Sequence, residues 1–215
     1  MASKTFHEMF VDELRDLYSA ENQITKALPK LIKAASNAEL GRALTSHLDE
    51  TRRQVDRLER IFDGLDESPK GKKCKGMEGL LEEGDEHVKE AAPGSRRDAV
   101  IIAAAQRVEH YEISGYGTAR AWAEEMGHTE AVSLLARTLD EEAAADEKLT
   151  SIAVGGLLGE GVNEEAEKGV GERTRTKSAT KKKASAKRGG KRANKAPKKS
   201  SKKKAGNKKA TKGRR

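Results

Sequence analysis

The chain has 215 residues, with 43 Lys and Arg, 35 Asp and Glu, three Phe, three Tyr, one Trp and a single Cys. One cysteine excludes an internal disulfide, which fits a reducing cytoplasm, and the longest wholly apolar run, Ala99–Ala105, is too short to span a bilayer. The formal net charge of +8 is the sum of two opposite blocks: residues 173–215 hold 21 Lys and Arg and no acid, while residues 1–172 hold the other 22 basic and all 35 acidic residues, a formal −13.

Met1–Phe10 is polar, with Lys4, His7 and Glu8, so no signal peptide is read there. Phe6, Phe10, Leu14, Leu17, Tyr18, Ile24, Leu28, Leu31 and Ile32 then recur at helical spacing. Pro29 is expected to bend this helix or to start a new turn. A second helical stripe runs from Leu40 through Leu44, Leu48, Val55, Leu58 and Phe62 and stops at Gly64. Ser68–Lys75 reads as a loop, and Cys74, set among Lys72, Lys73 and Lys75, as an exposed thiol whose pKa the lysines could lower. Met77–Ala92 reads as a short helix, and Pro93-Gly94-Ser95 as a break with Ser95 as N-cap. A long helix follows through Ile102, Ala105, Ile113, Tyr116 and Ala119 to Gly127. The last runs from about Thr129 through Val132, Leu135, Leu139, Leu149 and Ile152 to Gly155.

No strand pattern competes. Two long helices, a crossover with a short helix, and two more long helices give an all-α chain, a four-helix bundle with one long connection. Residues 1–156 form this domain. Residues 157–172 read as a flexible acidic linker. Residues 173–215 have no Leu, Ile, Val, Phe, Tyr, Trp or Met to bury, so they read as a disordered arm.

The chemistry lies in polar residues that interrupt the apolar stripes. At about 100° per residue, Glu21 falls between Leu17 and Ile24. His47, Glu50, Thr51 and Gln54 form a row along one flank of the second stripe. Glu109 falls near the centre of the third, with Glu112 one turn on. Glu142 and Asp146 align with Leu135, Leu139 and Leu149 on the fourth. Buried carboxylates need a partner or a metal. Arg53 and Arg57 are expected to point away from the second stripe. Arg120 lies on the third, roughly 16 Å along the helix from Glu109, where it could meet a carboxylate of a neighbouring helix. One arginine cannot neutralise six carboxylates, and a pair of divalent cations would do more. Carboxylate with imidazole suits iron, manganese or zinc. His110 points elsewhere, and His7, His87 and His128 are expected to be solvated.

Several segments resemble the YciE/YciF group of bacterial ferritin-like proteins. They are Asp12–Gln23, His47–Thr51, Met77–Gly84, Gln106–Glu112, and Leu139–Glu142 with Asp146–Leu149. The likeness covers about Lys4–Ala153, in order. It implies a ferritin-like bundle, a tendency to form homodimers and a stress-response role. By resemblance, Glu21, Glu50, Glu109, Glu112, Glu142 and Asp146 are metal-site positions, with His47 a further member. The expected cofactor is iron or manganese, in a mononuclear or dinuclear site. Glu109 or Glu142 would bridge two metals. The chain departs from the Glu-x-x-His spacing of ferritin-like di-iron enzymes: Arg53 follows Glu50 and Ala145 follows Glu142 at the third position. This favours metal binding without efficient turnover over an iron or manganese oxidase or a peroxide-consuming enzyme.

The arm resembles the Lys/Ala-rich tails of linker histones. Lys-rich arms bind nucleic acid by neutralising phosphates and releasing counterions. The arm has no aromatic residue to stack on single-stranded bases, and no recognition helix, so duplex DNA bound without sequence preference is expected. The candidate contacts are Lys181, Lys182, Lys183, Lys187, Arg188, Lys191, Arg192, Lys198, Lys199, Lys202, Lys203, Lys204, Lys208 and Lys209. The combined expectation is a cytoplasmic, nucleoid-associated protein, not membrane-bound, whose metal-binding bundle is held on DNA and protects it from oxidative damage. The alternative is a histone-like, DNA-compacting protein whose bundle is only a structural or dimerisation module.

Overall fold

The computed structural model describes residues 3–155 and 159–169. The arm of residues 173–215, expected to be disordered and to carry the DNA contacts, lies outside the described residues, as do residue 156 and residues 157–158 and 170–172 of the expected linker.

Five long or medium helices follow in order: α1 Phe6–Ala34, α2 Ala38–Gly64, α3 Lys75–Glu90, α4 Ser95–Glu125 and α5 Thr129–Val154. Among the described residues all regular structure is helical, and no helix is long and apolar enough to cross a membrane. A capping box opens α1: Thr5 accepts from the Glu8 amide, and Glu8 reaches back to the Thr5 amide. The helix continues unbroken through Pro29, so the sequence-based expectation of a new turn there does not hold. Asn37 caps α2 by accepting from the amides of Glu39 and Leu40. Asp98 secures the same corner, accepting from the amides of Ser36 at 2.7 Å and Asn37 at 2.9 Å. The α4 start differs from the expectation. Gly94, at φ 96°, is the N-cap, and Ser95 is the first helical residue, with no side-chain cap bond. The chain needs a positive φ there, which glycine adopts without steric cost.

Short turns join α1 to α2 and α4 to α5, so each pair is an antiparallel hairpin. Packing runs α1 on α2, α2 on α5, α5 on α4 and α4 on α1, a closed four-helix bundle of ferritin-like plan. The crossover helix α3 lies outside, against α4 and α1. It runs alongside α1 from the level of Gln23, whose side chain donates to the Cys74 carbonyl, to that of Lys30, which pairs with Asp85. The α1–α4 contact is tight at Gly115, where an added Cβ would come within 2.8 Å of Leu17.

The core has two apolar halves. One holds Phe10, Leu14, Leu17, Leu58, Phe62, Ala119 and Leu135. The other holds Ile24, Leu28, Leu40, Leu44, Ile101, Ile102 and Leu149. Between them, on all four bundle helices, lie Glu21, His47, Thr51, Gln54, Glu109, Glu112, Thr138 and Glu142, every one buried. Full burial of a Leu, Ile or Phe side chain contributes roughly 1.5–3 kcal/mol, while a buried ion costs several kcal/mol. The two halves thus carry a polar layer that opposes folding.

Three further expectations are corrected. Cys74 is not an exposed thiol but fully buried. Its Sγ lies 2.9 Å from Asp16 Oδ2 and 3.0 Å from the Tyr111 hydroxyl, and it caps α3 by accepting from the Met77 amide. Burial, with the Asp16 bond next, pushes the thiol pKa up, opposite to the effect expected of the lysines. His128 is half-buried and stacks on Phe10 at 5.9 Å between centroids. The expected acidic linker contains a helical stretch over residues 162–169, where Val162 is buried against the core.

Candidate metal centre

The helical repeat accounts for the site. Glu109 and Glu112 stand one turn apart on the inner face of α4, and Glu21 occupies the inward position of α1 between Leu17 and Ile24. His47 and Glu142 enter from α2 and α5. His47, Glu109, Glu112 and Glu142 each offer a ligand atom, and these atoms all lie within 4.8 Å of one another. The three carboxylates are at most 2% exposed and His47 is 6% exposed. Glu21 sits next to this group and accepts a hydrogen bond from the Tyr116 hydroxyl. Gln54 donates to Glu142. His47 Nε2 is 3.4 Å from Glu109 Oε1.

Positive charge is missing from the group. Arg57 was expected to point outward, yet it is buried between α2 and α5. It continues the row of His47, Glu50 and Gln54 by one more turn, and α5 covers that flank. Its guanidinium is committed elsewhere: Nε donates to Thr138 Oγ1 at 3.0 Å, and the two terminal nitrogens bond Glu141. Burial raises the Glu141 pKa, but its bonds to Arg57, Arg137 and Gln54 outweigh that and hold it below the usual range. Arg120 makes no ion pair among the described residues, and its Nε is buried without a partner.

The electrostatic result is a group of strained acids. Burial, then the charge of Glu142, pushes Glu21 and Glu109 well above the usual carboxylate range. Burial, then Glu21, does the same to Glu112. Burial raises Glu142 to about 7. The same burial lowers His47 to about 4, so its imidazole is neutral at pH 7 and keeps a lone pair to offer.

One oxygen each of Glu21, Glu109, Glu112 and Glu142, and both ring nitrogens of His47, are buried with no hydrogen-bond partner. Buried polar atoms are rarely left unsatisfied. Three carboxylates and a neutral imidazole fit a divalent transition ion, which would satisfy the orphaned atoms and supply the absent positive charge.

The structure does not bring all seven expected residues together. Glu50 stays at the rim, its side chain 30% exposed and its Oε2 3.9 Å from His47 Nδ1. Asp146 lies to one side, where it accepts from Gln106 at 2.9 Å and faces the exposed His110 at 3.4 Å. Their helical phase brings both near the stripe but not to its centre. Sequence reasoning missed Tyr116, Thr138 and Glu141 as polar partners. For Tyr116 a signal existed, since it lies one turn beyond Glu112 on the same face. Glu141 gave none, because its role depends on how α5 packs on α2.

Comparison with known proteins agrees with this architecture. The chain is 44% identical over 168 residues to Protein YciF of Escherichia coli strain K12, covering 78% of this chain and 98% of that one. Among solved structures, the Escherichia coli stress protein YciF superposes with a TM-score of 0.68 at 46% identity, covering 71% of this chain and 96% of that one. YcfI from Rhodopseudomonas palustris gives 0.68 at 49% identity, with 70% and 96% covered. A protein from Xanthomonas campestris pv. campestris shares the fold at 22% identity and a TM-score of 0.54, with 68% and 88% covered. The family model described as Domain of unknown function (DUF892) matches residues 5–167, and the protein belongs to that family.

Proposed function

We propose that the bundle is a divalent-metal-binding domain of a stress-response protein, and that the basic arm holds it on DNA. The observation that carries the metal reading is the set of orphaned atoms on Glu21, His47, Glu109, Glu112 and Glu142 at the waist of the bundle. His47, Glu109, Glu112 and Glu142 would hold one ion, with Glu21 placed to take part in a second. Bound iron or manganese would supply a redox couple shielded from bulk water. The protein's own part is to exclude water with its two apolar halves and to present a neutral imidazole. Gln54 and Tyr116 orient Glu142 and Glu21. The stress role is carried over from the Escherichia coli relative, and protection of DNA from oxidative damage follows from placing a metal-sequestering domain beside it.

A second reading is favoured by the crowding of the Glu109, Glu112 and Glu142 carboxyls, whose ligand atoms lie within 4.8 Å of one another. Buried acids this close hold protons in the absence of a cation, and a protonated layer could serve a bundle that binds no metal and only links DNA-bound arms. Elemental analysis after loading with iron(II) or manganese(II) separates the two. Metal retained by the wild-type chain and lost in Glu109→Gln/Glu142→Gln supports the first reading. Equal metal in the two chains supports the second.

A further inference from the structure

A cavity of about 280 Å³ lies between α2 and α5 and reaches inward to His47 and Glu109. Its walls are narrow in side chain, with Ala43, Ala144 and Ala145 beside Leu44 and Leu149. Its lip carries Glu50, Glu141 and Lys148. Two of these charges are already matched: Glu141 by Arg57 and Arg137, and Lys148 by Glu39. Glu50 has only long contacts, 3.4 Å to Ser46 Oγ and 3.9 Å to the half-exposed guanidinium of Arg53. Its carboxylate is the lip charge left for a visitor.

Behind it stands His47, with neither ring nitrogen hydrogen-bonded. Nδ1 is 3.9 Å from Glu50 Oε2, and Nε2 is 3.4 Å from Glu109 Oε1. One neutral imidazole therefore separates a rim carboxylate from a buried one, with a lone pair for an incoming cation. We propose that this cavity is the port through which a divalent cation enters: Glu50 takes the ion from water, and His47 passes it to Glu109. At roughly 30 Å³ per water, the cavity admits an ion that still holds several waters, to be shed against the donor atoms. The alanines keep the passage open. Glu50 is thus an entry residue acting on rate, which accounts for a carboxylate on the site's flank but outside its ligand group. This inference rests on the metal-binding reading.

The test is stopped-flow uptake of cobalt(II) by the full-length chain after chelator treatment, followed by the absorption of the bound ion, with the end point from dialysis and elemental analysis. Ala43→Leu/Ala145→Leu fills the passage without loss of helix propensity. It should load at least about tenfold more slowly than wild type and reach the same cobalt content. Glu50→Gln should load more slowly too, with a weaker dependence on salt. Wild-type loading that neither change slows overturns the port and leaves the metal centre standing. A wild-type chain that takes up no cobalt overturns both. Should the doubly substituted chain lose its helical circular dichroism, Glu50→Gln decides alone, and an unchanged rate overturns the port.

Discussion

Tyr116 of α4 donates its hydroxyl hydrogen to Glu21 of α1, and both side chains are fully buried. The bond joins α4 to α1 one residue beyond Gly115, where an added Cβ would come within 2.8 Å of Leu17. The other Glu21 oxygen has no partner. A single phenol therefore supports one of the most deeply buried acids in the protein, from a position that otherwise reads as core.

Replacing Tyr116 with Phe keeps the ring and removes the donor. The metal-free chain should lose roughly 1–3 kcal/mol of stability, the cost of leaving a buried acceptor unsatisfied. Urea denaturation of the chelator-treated proteins measures this. An unchanged midpoint would mean that Glu21 does not depend on the hydroxyl.

The pKa shifts set a sign for the effect of pH on the metal-free protein. Glu142 is raised to about 7, and Glu21, Glu109 and Glu112 are also raised. A raised acid contributes stability that is full below its unfolded value and is lost as pH climbs through the folded one. His47, lowered to about 4, works oppositely: its contribution is full above the unfolded value and is lost as pH falls towards 4. The two trends oppose each other between about pH 4.5 and 6.5. Above that range only the acids act, so the apo chain should weaken as pH rises towards 8, by up to about 1.4 kcal/mol per pH unit for each proton lost. Thermal melts at pH 6.5 and 8 should show a lower midpoint at pH 8. Added metal should narrow the gap, because it binds the deprotonated layer. A higher apo midpoint at pH 8 would contradict the proposed protonation.

The sequence made the bundle legible because its signals are local. The stripes of Leu14–Leu28 and Leu40–Phe62 fix two helices, and Gly64 and Gly155 mark helix ends. The carboxylate layer was legible for the same reason: Glu21, Glu109, Glu112 and Glu142 fall on stripes whose phase the apolar residues define. The failures are tertiary. Arg57 was placed outward because its own helix gives only a direction, while α5 decides what covers it. Cys74 was read from its lysine neighbours, but the turn before α3 tucks it under Asp16 and Tyr111. Val162 lay in a stretch whose Gly and Glu content masked one buried side chain. Glu50 and Asp146 show the limit of helical phase, which separates inward from outward but not ligand from rim.

Glu109→Gln/Glu142→Gln should do more than abolish metal uptake. Amides keep the size of the side chains and remove two titrating groups, so the substituted chain should match or exceed the metal-free wild type in stability at pH 8. It should also lose much of the decline between pH 6.5 and 8. Chemical denaturation at the two pH values measures both effects. A large loss of stability at pH 8 would show that the carboxylates hold the bundle together through bonds an amide cannot reproduce.

Residues 173–215 should bind duplex DNA without sequence preference, since their 21 positive charges include no acid between them. If ~10 of those charges meet phosphates, log K should fall against log salt with a slope of about −9. Removing the arm leaves residues 1–172 at a formal −13, which the DNA backbone repels. The truncated chain should therefore show no shift in an electrophoretic assay at any salt, while retaining its metal, because no ligand comes from the arm. Full-length binding should be equal for unrelated duplexes of the same length. A shift kept by the truncated chain, or a salt slope near zero for the full chain, would give the arm a different purpose and return the bundle to standing alone.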